Sequence, residues 1–142
     1  MGSIIKNKKR NVTPLILIIA AMLNFTFWTL YYLKVITLTD IEDIHVIKFE
    51  SAFPIADAIM SVFLILSAIF MIRRNYFGTF FMVAAAAMAI YLGTLDVTFY
   101  VSNGYYNQFT SSNILPMTIN LLCLSGGSWG LFKAWKQWRI VK

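Results

Sequence analysis

The sequence predicts an all-α integral membrane protein, with four transmembrane helices in an up-down antiparallel bundle and both termini cytoplasmic. A short amphipathic external helix is expected between helices 1 and 2. Three observations carry this. Hydrophobic residues make up 59% of the chain and mean hydropathy is +0.70, outside the range of an ordinary soluble fold. Four apolar segments, drawn at 14–33, 52–72, 76–101 and 114–132, each approach the ~20 residues needed to cross a hydrocarbon core of about 30 Å. The basic residues fall between and beside these segments.

Residues 1–142 read as a single four-helix domain. The segments show no alternation of apolar and polar residues, and the length does not supply the strands of a β-barrel. Lys6, Lys8, Lys9 and Arg10 precede the first span, Arg73 and Arg74 join the second to the third, and Lys133, Lys136, Arg139 and Lys142 follow the fourth. An even number of spans puts these groups on one side, which the positive-inside rule makes the cytoplasmic face of the cell membrane. The net charge of +6 is thus a topology signal first and an attraction to anionic membrane lipids second. The basic residues flank spans and form no separate patch, so nucleic acid is not an expected partner.

The first span opens at Thr13-Pro14, with Thr as the expected N-cap and Pro in the first helical position. It runs into FTFWTLYYL without a small-residue cleavage pattern, so it reads as an uncleaved span and not a signal peptide. Asn11-Val12-Thr13 matches a glycosylation sequon by chance, on the cytoplasmic side. The external helix is expected within 34–49, where Thr39-Asp40-Ile41-Glu42 has capping-box spacing and Ile41, Ile44, Ile47 and Lys48 follow at helical intervals. His45 there reads as a solvated or hydrogen-bonded histidine, since no second His is present to form a metal pair. Arg73-Arg74-Asn75 makes a tight turn, and Asn103-Gly104 a second one. Ser51 is the expected cap of the second span, and Ser111, Ser112 or Asn113 that of the fourth, with Pro116 inside the first turn.

At 100° per residue, Glu50, Asp57, Ser61, Leu64 and Ala68 fall within a stripe about 60° wide. Ala85, Ala89, Gly93, Asp96 and Tyr100 share a stripe about 80° wide on the third span, whose small residues mark it as a packing face. Asn24, Trp28 and Tyr31 share a face of the first span, and Asn113, Asn120, Leu124 and Gly127 one of the fourth. Counted from the external ends at about 1.5 Å per residue, Trp28, Asp57 and Asp96 lie roughly 8 Å deep, Asn120 about 10 Å and Asn24 about 14 Å. Four helices therefore place polar groups in one layer. An Asp at the centre of a span costs about 2.5–3.5 kcal/mol, less near an interface. No Lys, Arg or His lies within the drawn spans to neutralise Asp57 or Asp96.

The expected ligand-binding residues are Asp57, Asp96, Glu50, Asn24, Trp28, Asn120, Tyr100 and Ser61. The carboxylates would be charge partners, and Trp28, Tyr31 and Tyr100 cation–π surfaces, for an ion, a proton or a cationic or amphipathic small molecule that is bound and, in one form of the reading, transported. Transport by so small a chain calls for a homodimer, for which Gly126-Gly127-Ser128-Trp129-Gly130 offers a GxxxG face when it is not spent on packing within the chain. The plainer alternative makes both aspartates membrane glue, hydrogen-bonded to neighbouring helices.

Four spans, cytoplasmic ends and acids in the outer half resemble the layout of the EXPERA group of sterol isomerases and sigma-2-type receptors. That resemblance implies a ligand-binding protein or an enzyme moving protons on a lipid or sterol, with the carboxylates as acid and base. A third reading is an accessory or assembly subunit with no small-molecule chemistry. No Gly-rich phosphate loop, HExxH, CxxC or GxSxG occurs, and Cys123 stands alone, so no metal site, cofactor or known hydrolase chemistry is expected.

Overall fold

A computed structural model describes residues 12–36, 44–107 and 111–140, with the helical residues 111, 112 and 138–140 described as backbone only. The described residues are helical, with no strand among them. The order is α1 (Thr13–Tyr32), α2 (Ile44–Glu50), α3 (Phe53–Ile72), α4 (Phe77–Ser102), a single 3-10 turn (Tyr105–Asn107) and α5 (Ser111–Ile140). Four helical stretches are long and apolar enough to cross a membrane: α1, the continuous Ile44–Ile72 stretch of α2 and α3, α4, and Asn113–Gln137 of α5. The proposed capping box at Thr39–Glu42 lies outside the described residues.

Helix ends differ from expectation in physically readable ways. Val12, not Thr13, precedes the first turn of α1, with no side-chain cap; Thr13 is already helical and, like Pro14, buried. Ser51 is not the cap of α3 either. Its hydroxyl donates to the Lys48 carbonyl at 2.7 Å, closing α2, and Ala52 leads into α3. Both helices instead rely on proline near the start, where a missing N–H costs nothing. At the other ends α1 and α3 close alike. Val35 N–H reaches Leu30 O and Lys34 N–H reaches Tyr31 O, while Asn75 N–H reaches Phe70 O and Arg74 N–H reaches Met71 O. This double bonding is the Schellman pattern, with Lys34 (φ 57°) and Arg74 (φ 56°) in the left-handed position usually given to glycine.

The Arg73-Arg74-Asn75 turn is tight because Gly78 allows it. A Cβ there would stand 2.7 Å from Met71 Cγ, and Ser67 Oγ donates to the Gly78 carbonyl at 2.7 Å across the α3–α4 crossing. Asn75 Oδ1 accepts from Phe77 N–H at 3.0 Å and caps α4. The α5 helix starts at Ser111, so Pro116 falls in the second turn and not the first; it also runs to Ile140, well past the expected end at 132. Nothing after Phe132 breaks a helix, and the extension is held by Lys133 over Trp129, Lys136 over Phe132 and Thr79 Oγ1 donating to Gln137 Oε1 at 2.7 Å.

Close packing runs α1 on α3, α3 on α4 and α4 on α5. Trp28 meets Asp57 while Asn24 meets Ser61, so α1 and α3 run in opposite directions. Thr79 meets Gln137 while Gly93 lies against Cys123, so α4 and α5 do too. Leu17, Ala68, Met82 and Ala134 form a core towards the Arg73–Arg74 end, and Trp28, Phe53 and Leu92 a second core towards the Glu50 end. The glycines of α5 divide by role. Gly127 and Gly130 pack on Ala86 and Ile90 of α4, whereas a Cβ on Gly126 would meet nothing within 4 Å. On α2 the buried side is Val46 and Glu50, and Ile44 and Ile47, expected as its apolar side, face outward.

Candidate functional site

Polar side chains gather at the Glu50 end of the helices. From α1, Trp28 Nε1 donates to Asp57 Oδ2 at 2.8 Å. One turn earlier, Asn24 Nδ2 donates to Ser61 Oγ at 3.1 Å and to the Asp57 carbonyl at 3.2 Å. These bonds fix the rotation of α3 against α1, and they leave Asp57 Oδ2 with a designated partner. From α4, Tyr100 OH donates to Glu50 Oε1 at 3.1 Å, with both side chains buried. Phe49, next to Glu50, stacks on Phe99, next to Tyr100, at 3.8 Å and 5°. The pair therefore clasps α2 onto α4. From α5, Asn120 Nδ2 donates to Tyr106 OH at 2.8 Å, and the Tyr106 ring stacks on Tyr100 at 5.3 Å. Burial raises the Tyr106 hydroxyl above the ordinary tyrosine value, against the Asn120 hydrogen bond and with the help of the Asp96 and Glu50 charges, so it stays protonated at neutral pH.

Asp96 is only partly paired, through a side-chain hydrogen bond with Asn120. Its side chain is 8% exposed, and Oδ1 is buried with no hydrogen-bond partner among the described residues. A buried carboxylate oxygen left unsatisfied is costly, and most are paired. Asp96 lines a cavity of about 40 Å³ together with Trp28, Glu50, Asp57, Asn120, Leu92, Gly93 and Cys123. That is room for a few waters or a small head group. No basic side chain lines it.

A second cavity, of about 350 Å³, adjoins the first and shares Phe27, Asp57, Ile119 and Cys123 with it. It is almost wholly apolar and runs between α1 and α5, a pair that is not closely packed.

Of the residues singled out from sequence, Trp28, Glu50, Asp57, Asp96 and Asn120 line the small cavity, and Asn24 the large one. Ser61 and Tyr100 are fully buried and line neither, acting instead as partners of Asn24 and Glu50. His45 is exposed on α2 and lines neither cavity. The carboxylates do not converge as a metal cage: among the described residues no group of three or more His, Cys, Asp or Glu could hold an ion. Sequence reasoning missed Pro116 and Cys123, although both sit one turn from Asn120 on its own face, which is the signal that could have found them. It also missed Tyr106, whose loop carries no periodicity.

No family model, curated protein or solved structure gives a significant match to the chain. The fold and site define a class no finer than a small multi-pass membrane protein.

Proposed function

We propose that the chain is a cell-membrane protein with both termini cytoplasmic, whose outer-half cavity binds a cationic small molecule. The orientation rests on Arg73–Arg74 and the basic C-terminal turns lying at the end opposite Glu50. The observation that carries the binding reading is Asp96, whose buried Oδ1 has no partner among the described residues and which lines a cavity that holds further carboxylates and no basic residue. An ammonium group supplies the missing donors and the compensating charge at once. Trp28 and Phe27 present aromatic surface to the same space. Metal coordination is the weaker reading, because the acids do not converge. Membrane glue accounts for Asp57, which Trp28 holds, and for the hydrogen bond between Asp96 and Asn120, but it leaves Asp96 Oδ1 unsatisfied.

A second reading keeps the same site. Asp57, held by Trp28, and Asp96, bonded to Asn120 but with a buried unsatisfied Oδ1, occupy unequal environments, the arrangement that proton transfer on a membrane-borne substrate requires of an acid and base.

The test compares hexylamine with hexanol on the full chain in lipid nanodiscs. Hexylamine is expected to bind and hexanol not, and Asp96→Asn to weaken hexylamine by about 2 kcal/mol or more, roughly 30-fold. Equal binding of amine and alcohol, or full amine affinity in Asp96→Asn, overturns the reading.

A further inference from the structure

The space between α1 and α5 says what kind of cation fits. The large cavity meets the small one at Phe27, Asp57, Ile119 and Cys123, and its lining reaches Ile16 on α1 and Gly130 on α5. From Phe27 to Ile16 the helix advances by about 16 Å, over half the thickness of a hydrocarbon core of about 30 Å. The cavity is also open sideways. Ile16, Leu23 and Leu122 line it and are nonetheless 42%, 62% and 62% exposed, so its walls continue onto the surface that would face lipid. Gly126 keeps the gap clear, since nothing lies within 4 Å of the place its Cβ would occupy.

We infer that the ligand is a single-chain membrane amine: its ammonium head sits against Asp96 and Asp57, and its alkyl chain lies in the crevice between α1 and α5, entered from the bilayer. This rests on the cation-binding reading above. Charge complementarity selects the head, because no basic residue lines either cavity and an anionic head would meet Glu50, Asp57 and Asp96. The apolar crevice selects a chain over a compact soluble cation. Its volume of about 350 Å³ suits one chain.

The full chain is reconstituted in phosphatidylcholine nanodiscs and photolabelled with dodecylamine or dodecanol, each bearing a diazirine at the chain end. Adducts are mapped by mass spectrometry. Dodecylamine is expected to label the crevice around Trp129 and Leu17 at least tenfold more than dodecanol does. Dodecanol should spread over lipid-facing residues such as Leu121. Gly126→Phe is expected to remove the crevice adducts while binding of methylamine, whose head alone enters the small cavity, persists, and Gly126→Leu serves as a smaller plug; thermal unfolding verifies that both fold. Asp96→Asn should remove adducts and hexylamine binding together. Methylamine binding with no crevice labelling by dodecylamine in the unsubstituted protein overturns the chain inference alone. Absence of hexylamine binding in the unsubstituted protein overturns the cation reading beneath it. Equal labelling by the amine, the alcohol and a photoreactive phosphatidylcholine assigns the crevice to bulk lipid and overturns the inference.

Discussion

Replacing Asp96 by Asn separates a ligand site from a structural hydrogen bond, because the two readings give stability changes of opposite sign. Asp96 is 92% buried, and Oδ1 has no partner among the described residues. Asn is nearly isosteric, carries no charge and brings an N–H₂ donor towards a cavity already lined by acceptors on Glu50 and Asp57. Removing a carboxylate from the middle of a span recovers about 2.5–3.5 kcal/mol, less towards an interface. At this depth, with some hydration from the small cavity, a gain of about 1–2 kcal/mol is expected for the ligand-free protein. The assay is thermal unfolding in detergent and in nanodiscs, followed by tryptophan fluorescence, with and without hexylamine. The variant should unfold at higher temperature than the parent without amine and gain nothing from adding it. A variant less stable than the parent by about 1 kcal/mol or more refutes the reasoning, since it makes Asp96 a paired structural residue.

Further substitutions test the surrounding framework. Gly127→Ala places a Cβ 2.7 Å from Ile90 Cγ1 and 2.8 Å from the Ala86 carbonyl, so it should cost about 1–3 kcal/mol in thermal unfolding. Its neighbour Gly126→Ala meets open space and should be neutral or stabilising by up to about 1 kcal/mol. Trp28→Phe removes the 2.8 Å bond to Asp57 Oδ2 and leaves that oxygen without its donor, at an expected cost of about 1–3 kcal/mol; most of it should vanish in the Asp57→Leu background of a double-mutant cycle. Arg74→Gly relieves a φ of 56° and should stabilise by about 1 kcal/mol, and no change would mean the left-handed turn carries no strain.

What the sequence made legible follows from which forces are local. Apolar runs near 20 residues depend only on bilayer thickness, so the four helices emerged within a few residues at most ends. The end of α5 did not, because hydropathy stops at Phe132 while helix propensity continues through Lys133, Ala134, Lys136 and Gln137. Caps were misread for a related reason. Thr13 and Ser51 have the right chemistry, but proline-led starts needed no side-chain acceptor, and Ser51 found the Lys48 carbonyl first. The polar layer was legible from angle and depth: Trp28, Asp57, Asp96 and Asn120 do surround one cavity. Which atom bonds which was not, since Trp28 choosing Asp57, Tyr100 choosing Glu50 and Asn120 choosing Tyr106 depend on helix rotations that a 100° wheel leaves free. The α1–α5 crevice had no sequence signal beyond Gly126, and a lone glycine in a GxxxG reads equally well as a contact.

The most direct test is a solid-state NMR distance between an isotope-labelled hexylamine nitrogen and labelled aspartate carboxyl carbons in nanodiscs. A captured ammonium at Asp96 predicts a nitrogen-to-carboxyl contact of about 4 Å that disappears in Asp96→Asn. Hexylamine bound with no aspartate contact, or a contact that survives in Asp96→Asn, contradicts it.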